Sequence, residues 1–202
     1  KDPDWAPPYA GRARVWAGLQ MFSWELPQVA MPKIYENLNT ALTLDLNSEE
    51  AHYNSALIAV WVEWNWEKGE REFLKTLELN PNNAFAQIYY AHLLMILRRM
   101  DEARYRADLA LELDPEQLLV LGLYCQVMWR FEEWQSMLDH ANKTLTIDPD
   151  YYFAFGNLLK GYEGMGNYDK WIESMKLLNI WDEETFKSLE ETLREFGYVA
   201  TK

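Results

Sequence analysis

Apolar positions recur along this chain at intervals of three and four, as in Ile88, Ala91, Leu94 and Met95. That is the period of an amphipathic helix, not the alternation of a strand. The pattern is cut at regular places. "LELNP" ends at Pro81, "LELDP" at Pro115 and "LTIDP" at Pro149, so the stops follow one another at 34 residues, and "LTLDLN" puts Leu46 35 residues before Pro81. Proline cannot continue a helix and disfavours helix in its predecessor, so each Asn-Pro or Asp-Pro closes a unit. A second break falls inside each unit, at "RRMDEA" or "GMGNYDK". The repeating element is therefore a pair of short antiparallel helices. Neither helix can bury its apolar stripe alone, so the hairpins must stack on their neighbours.

The unit that ends at Pro115 carries Gln87, Tyr90, Ala91, Leu94, Ala103, Ala107 and Ala110, with small residues where paired helices would touch most closely. The preceding unit reads His52, Ser55, Ala56, Ala59, Gly69, Phe73 and Thr76, with one extra residue in its turn. The unit from Glu116 to Pro149 places its turn near Arg130 and Phe131, which predicts a longer second helix running to Ile147. The last unit reads Phe155, Leu158, Leu159, Tyr162, Trp171 and Met175, with Glu183 in place of the closing proline. The first carries Tyr9, Ala13, Trp16, Ile34, Leu38 and Ala41, and "FSWELPQVAMP", residues 22–32, reads as an inserted loop between its helices. After the fifth unit, "WDEETFKSLEETLREFG" has Asp182 as its N-cap, Glu183 and Glu184 at the positive helix end, and Gly197 as its stop.

These residues, in phase over several units, resemble the tetratricopeptide repeat (TPR) family over about residues 3–180. The resemblance implies an all-α, right-handed superhelical solenoid of about five hairpins plus a C-terminal capping helix. The expected organisation is one array over 1–202, with hairpins at about 3–48, 49–82, 83–116, 117–150 and 151–180 and the cap at 182–196. "EWNWEKGEREFLKTLELNPNNAFAQIYYAHLL" followed by "RRMDEA" also looks like the repeat tails of bacterial signalling proteins, among them winged-helix activators, class III cyclases and serine/threonine kinases. In those proteins the tails sense ligands or bind proteins. Lys1 is not an initiator methionine, and "KDPDW" reads as the end of a repeat, so the chain is expected to be part of a larger regulatory protein.

The same resemblance carries the family's inner-face places onto Arg14, Tyr53, Trp61, Phe85, Tyr89, His92, Gln126 and Lys160 as candidate partner-binding residues, with Val60, Ile88, Ile96, Leu123 and Phe153 among them. Aromatic side chains give large contact area at low entropic cost. One subgroup of the family grips acidic chaperone tails with lysines and asparagines. Here Ala10 and Arg14 stand at the first two clamp places, and Phe85 and Tyr89 at comparable inner ones, so that clamp is absent. The expected partner is a protein or peptide of apolar or basic character. A small molecule held in the aromatic groove is the alternative, and self-association stays open.

Charge narrows the partners further. The chain has 19 basic and 32 acidic residues, a net charge of -13, which opposes nucleic acid and anionic membranes. No apolar run reaches the ~18 residues needed to span a bilayer, so no membrane insertion is expected. Cys125, the only cysteine, sits among apolar neighbours in "LGLYCQVMW" and reads as a buried, inert thiol. The compartment is left open.

Catalytic patterns are weak. His52, His92 and His140 are never i, i+4, and no Cys-x-x-Cys accompanies them. "GYEGMG" imitates a phosphate loop but sits at a helix-helix turn, and the carboxylates of "EWNWEKGERE" and "WDEETF" fall on turns and outer faces. A noncatalytic module without metal or cofactor is expected. Of the clustered tryptophans, Trp61 is assigned to the inner face, Trp64 to the lengthened turn, and Trp66 to the start of the next helix, packed on its own hairpin.

Overall fold

A computed structural model describes residues 4–177 and 182–196. Among these residues the regular structure is entirely helical: α1 (Pro7–Met21), α2 (Pro27–Leu44), α3 (Glu49–Trp61), α4 (Trp66–Leu79), α5 (Ala84–Ile96), α6 (Met100–Leu113), α7 (Leu118–Arg130), α8 (Trp134–Ile147), α9 (Tyr152–Gly164), α10 (Tyr168–Leu177) and α11 (Glu183–Phe196). The helices pair in sequence order, α1 with α2 through α9 with α10, and α11 packs on α10. Two compact units result, one up to Leu113 and one from Asp114.

The stops between hairpins are built by side chains as well as by proline. The Oδ1 atoms of Asp45, Asn80 and Asp148 accept hydrogen bonds from the backbone N–H two residues on, at 2.9, 3.2 and 3.0 Å. This turn ends one helix and aims the chain into the next. Several helices start on side-chain caps. Ser48 accepts from Ala51 N–H, Asn65 from Lys68, Asn83 from Ala86, and Asp182 from Thr185. Such a cap stabilises a helix by about 1 kcal/mol.

The turns within the hairpins share a second device. Arg98, Glu132 and Gly166 all take positive φ, at 62°, 59° and 67°. The residue after each donates to the carbonyl five places back: Arg99 to Leu94, Glu133 to Met128 and Asn167 to Tyr162. This is a Schellman-type closure, which satisfies the carbonyls left over at a helix end. Ser23 (φ 58°) closes α1 likewise, with Trp24 N–H on Leu19 O. The α3–α4 turn is one residue longer. Its left-handed residue is Trp64 (φ 57°), and Asn65 N–H reaches back to Ala59 O.

Two expectations need correction. Residues 22–32 do not form a loop: only 22–26 lie between the helices, and α2 begins at Pro27 and runs for 18 residues with Pro32 inside it. Pro27 sits at N1, where its missing N–H leaves no bond unmade, so what read as a breaker starts the helix. Likewise α8 is not lengthened. It has 14 residues, as do α4 and α6. The stop at Gly197 and the "KDP" opening lie outside the described residues.

In the first unit, buried Ala13, Ala17, Ala30, Ile34 and Leu38 join α1 to α2 and meet Ile58 from α3. A second cluster, built around Phe73 and Tyr90 with Ala56 and Ala103, binds α3–α4 to α5–α6. Small residues set these approaches. A Cβ on Gly69 would stand 2.3 Å from Val60 Cγ2, so only glycine allows α4 this close to α3. The second unit repeats the principle: a Cβ at Gly122 would meet the Phe153 ring at 2.5 Å, and one at Gly161 would meet Leu138 Cδ2 at 2.6 Å. Successive first helices are also tied by amides, Asn54 Nδ2 donating to Ala10 O at 3.0 Å and Asn157 Nδ2 to Gly122 O at 3.1 Å.

Candidate functional site

Four of the eight candidate residues come together in the first unit. Tyr53 and Trp61 stand on α3, Phe85 and Tyr89 on α5, and all four belong to or pack against the Phe73–Tyr90 cluster. The ring centroid of Tyr89 lies 5.2 Å from that of Trp61 in a T-shaped arrangement and 6.3 Å from that of Tyr53. Trp61 in turn meets fully buried Phe73 edge-on at 6.3 Å. Edge-to-face contacts of this kind are worth about 0.5–1.5 kcal/mol beyond area burial. The result is a chain of rings whose inner end is fixed in the core and whose outer members, Trp61 and Tyr89, keep part of their surface in water, as does Phe85, packed against the same cluster.

Tyr53 is the floor of this arrangement, being only 8% exposed. Burial pushes its phenol well above the ordinary tyrosine range; the neighbouring Tyr89 adds to this, Arg14 opposes it, and Glu49 adds a little more. It therefore stays a neutral hydroxyl at physiological pH. Arg14, on α1, is exposed and close enough to act electrostatically on that hydroxyl. His92 lies half-buried on α5. Val60 and Ile88, also carried to the inner face by the sequence, are buried at 2% and 0% and serve the core instead.

Gln126 and Lys160 belong to the second unit. Gln126 is half-buried on α7. Lys160, exposed on α9, holds its ammonium 5.0 Å from the Trp129 ring centroid, a cation–π pairing.

The tryptophans of the α3–α4 turn part company. Trp64 is 75% exposed, and Trp66, at the first position of α4, is 39% exposed. Trp66 starts α4 as expected and keeps over a third of its surface in water.

His52, His140 and the Glu70 ion pairs belong to packing. His52 has Glu72 Oε2 at 2.7 Å from Nδ1 and Leu46 O at 3.0 Å from Nε2. His140 Nδ1 lies 2.8 Å from Ser136 O, its ring against Tyr124. Behind α5, Glu70 accepts from the Tyr90 hydroxyl at 2.7 Å and pairs with Arg99, which also forks onto Glu102. Burial, and then the bond to Glu70, push the Tyr90 phenol up to about 12. Sequence reading missed this network because its members lie 20 and 29 residues apart. Cys125 is buried, its thiol facing Met137 O at 3.4 Å, and burial pushes its pKa up to about 12, which leaves it unreactive.

Solved structures supply the comparison. YrrB, described as a TPR protein with an unusual peptide-binding site, superimposes with a TM-score of 0.60 at 18% identity, covering 94% of this chain and 93% of its own. The fold is that of a TPR protein. PilW, a type IV pilus biogenesis factor, matches the TPR array with a TM-score of 0.68 at 16% identity, over 92% of this chain and 94% of its own. MamA from Desulfovibrio magneticus RS-1 gives 0.60 at 15% identity, over 85% of this chain and 98% of its own. No protein-family model and no curated protein matches the sequence. No described helix is long and apolar enough to cross a membrane.

Proposed function

We propose that this chain is a noncatalytic protein-interaction module whose hairpins form one TPR array. It captures an extended or helical peptide on the face formed by its first helices. The observation that carries this reading is the half-open ring chain of Trp61 and Tyr89, anchored in the core through Phe73 and Tyr53, with Phe85 packed against the same cluster. Rigid aromatics pre-fixed by packing lose little entropy when a partner covers them, which is what interface hot spots require. The peptide-binding site named for YrrB supports the same reading. With a net charge of -13, the module favours a neutral or basic segment bearing apolar anchors. Its resemblance to the tails of bacterial signalling proteins supports reading the module as part of a larger regulatory protein.

The direct test is selection of a displayed peptide library on the purified chain. Peptides with aromatic or aliphatic anchors and basic flanks should be enriched. Recovery of acidic peptides alone, or of none, would sink the peptide reading. A thermal shift with a metabolite panel in the same protein would favour a small-molecule sensor instead.

A further inference from the structure

We propose that a further helical hairpin of the same repeat type, carried on the polypeptide directly before Asp2 and Pro3, seats on the face of α1 that bears Pro8, Arg12 and Val15. The register of the repeats identifies that face. Asn54 and Asn157 make the same bond to the first helix before their own, Asn54 Nδ2 to Ala10 O and Asn157 Nδ2 to Gly122 O. Ala10 therefore stands in α1 where Gly122 stands in α7. Pro8 and Val15 then fall at the places of Ala51 and Ile58 in α3, Ala86 and Leu93 in α5, and Ala154 and Gly161 in α9. Every one of those residues is buried. The hairpin before them does the covering: Ala51 clusters with Ala41, Ile58 with Ile34 and Leu38, and Ala86 and Leu93 with Phe73, while Gly161 lies against Leu138. Pro8 and Val15 are instead exposed, Val15 by 61%. Spaced at four and three, Pro8, Arg12 and Val15 share one side of α1, and that side continues the surface by which each hairpin joins the next.

Two observations select the occupant. In α5 the place of Arg12 is held by Tyr90, whose hydroxyl donates to Glu70, on the second helix of the hairpin before, at 2.7 Å. Arg12 is exposed and rests on the Tyr9 ring, so its guanidinium is placed to take a carboxylate from the helix opposite. The second observation is in the sequence. Pro3 precedes Ala10 by seven residues, as Pro115 precedes Gly122, so Asp2–Pro3 stands in the register of Asp114–Pro115, where a second helix has just ended. A terminal repeat keeps a polar outer face. The last described helix has one, with Glu183, Glu184, Lys187 and Glu191 exposed along α11, whereas α1 shows Pro8 and Val15.

Thiol labelling tests the fit. Val15→Cys gives α1 a reactive thiol while buried Cys125 stays inert, so the maleimide rate reads that face alone. The probe is a copy of residues 49–79 joined to Asp2, which brings a second copy of Glu70 opposite Arg12. The added hairpin should raise helix content by circular dichroism and slow labelling about tenfold. Arg12→Glu should restore much of the rate in the extended chain and leave it unchanged in the original one. An added segment that stays unfolded, labelling as fast as in the original chain, or slow labelling that survives Arg12→Glu would each overturn the proposal. The reading frame upstream of Lys1 is an independent check. It should encode a helix with apolar residues at intervals of three and four that ends at Asp2–Pro3; a stretch without that period would contradict the assignment.

Discussion

The first hairpin and the two that follow it lie in one compact unit and solve the same packing problem with different surfaces. In α3–α4 and α5–α6 four aromatics turn inward while Trp64 and Tyr105 stay exposed: Phe73 and Tyr90 are buried, and Trp61 and Tyr89 lean on them. In α1–α2 the interior is filled by alanines with Ile34 and Leu38, while Val15, Phe22, Trp24 and Leu26 face water. Small residues at the helix contacts are enough to hold a hairpin together. Where the large side chains point then decides whether the hairpin anchors a core or offers a surface.

The largest expected effect breaks the anchored side. Phe73→Ala should cost about 3–5 kcal/mol in urea unfolding, because it removes a fully buried ring and with it the support of Trp61. A loss below 1 kcal/mol would mean that the ring chain has no fixed inner end. The first hairpin should respond in the opposite direction: Pro32→Ala, exposed inside α2, restores a helical N–H and should stabilise the unit by up to about 3 kcal/mol. Destabilisation there would show that the proline shapes a bend the hairpin needs.

A smaller gain is expected at the turn that differs between hairpins. Trp64 holds φ 57° while mostly exposed, so Trp64→Gly should raise stability by about 0.5–1 kcal/mol. A drop would show that the indole makes contacts that compensate for its backbone. An effect of similar size belongs to Tyr90. Its phenol titrates higher folded than unfolded, so its contribution is full below pH 10 and is lost as the pH rises toward 12. Tyr90→Phe should cost about 1 kcal/mol at neutral pH, through the lost bond to Glu70, and should make the alkaline decline shallower. An unchanged alkaline profile would remove Tyr90 from that account.

The contrast also shows what was legible in the residues. The hairpins could be read because Asn-Pro and Asp-Pro stops recur at 34 residues and the small positions, such as Ala91 and Ala103, keep phase with them. The shared left-handed turns could not, since Trp64, Arg98 and Glu132 are not residues that favour positive φ, and only Gly166 signals one. The length of α2 was hidden for a related reason. Pro27 and Pro32 look alike in sequence, yet one starts the helix and the other is tolerated within it. For the site, the resemblance to the repeat family implied Tyr53, Trp61, Phe85 and Tyr89 on neighbouring first helices, but not how deep each ring sits. Depth depends on Phe73 and on the glycine contact at Val60, which only the packed hairpins reveal. On the proposed reading Trp61 both meets the partner and supports the core, so its removal would confuse the two roles.

Phe85 and Tyr89 also rest on that cluster, so the fold of their variant is checked beside its affinity. The most direct measurement is therefore the affinity of a library-selected peptide for the wild-type chain and for the Phe85→Ala, Tyr89→Ala variant, by titration calorimetry. Loss of two aromatic anchors predicts at least a hundredfold weaker binding, with circular dichroism unchanged. Equal affinity in a folded variant would contradict the account.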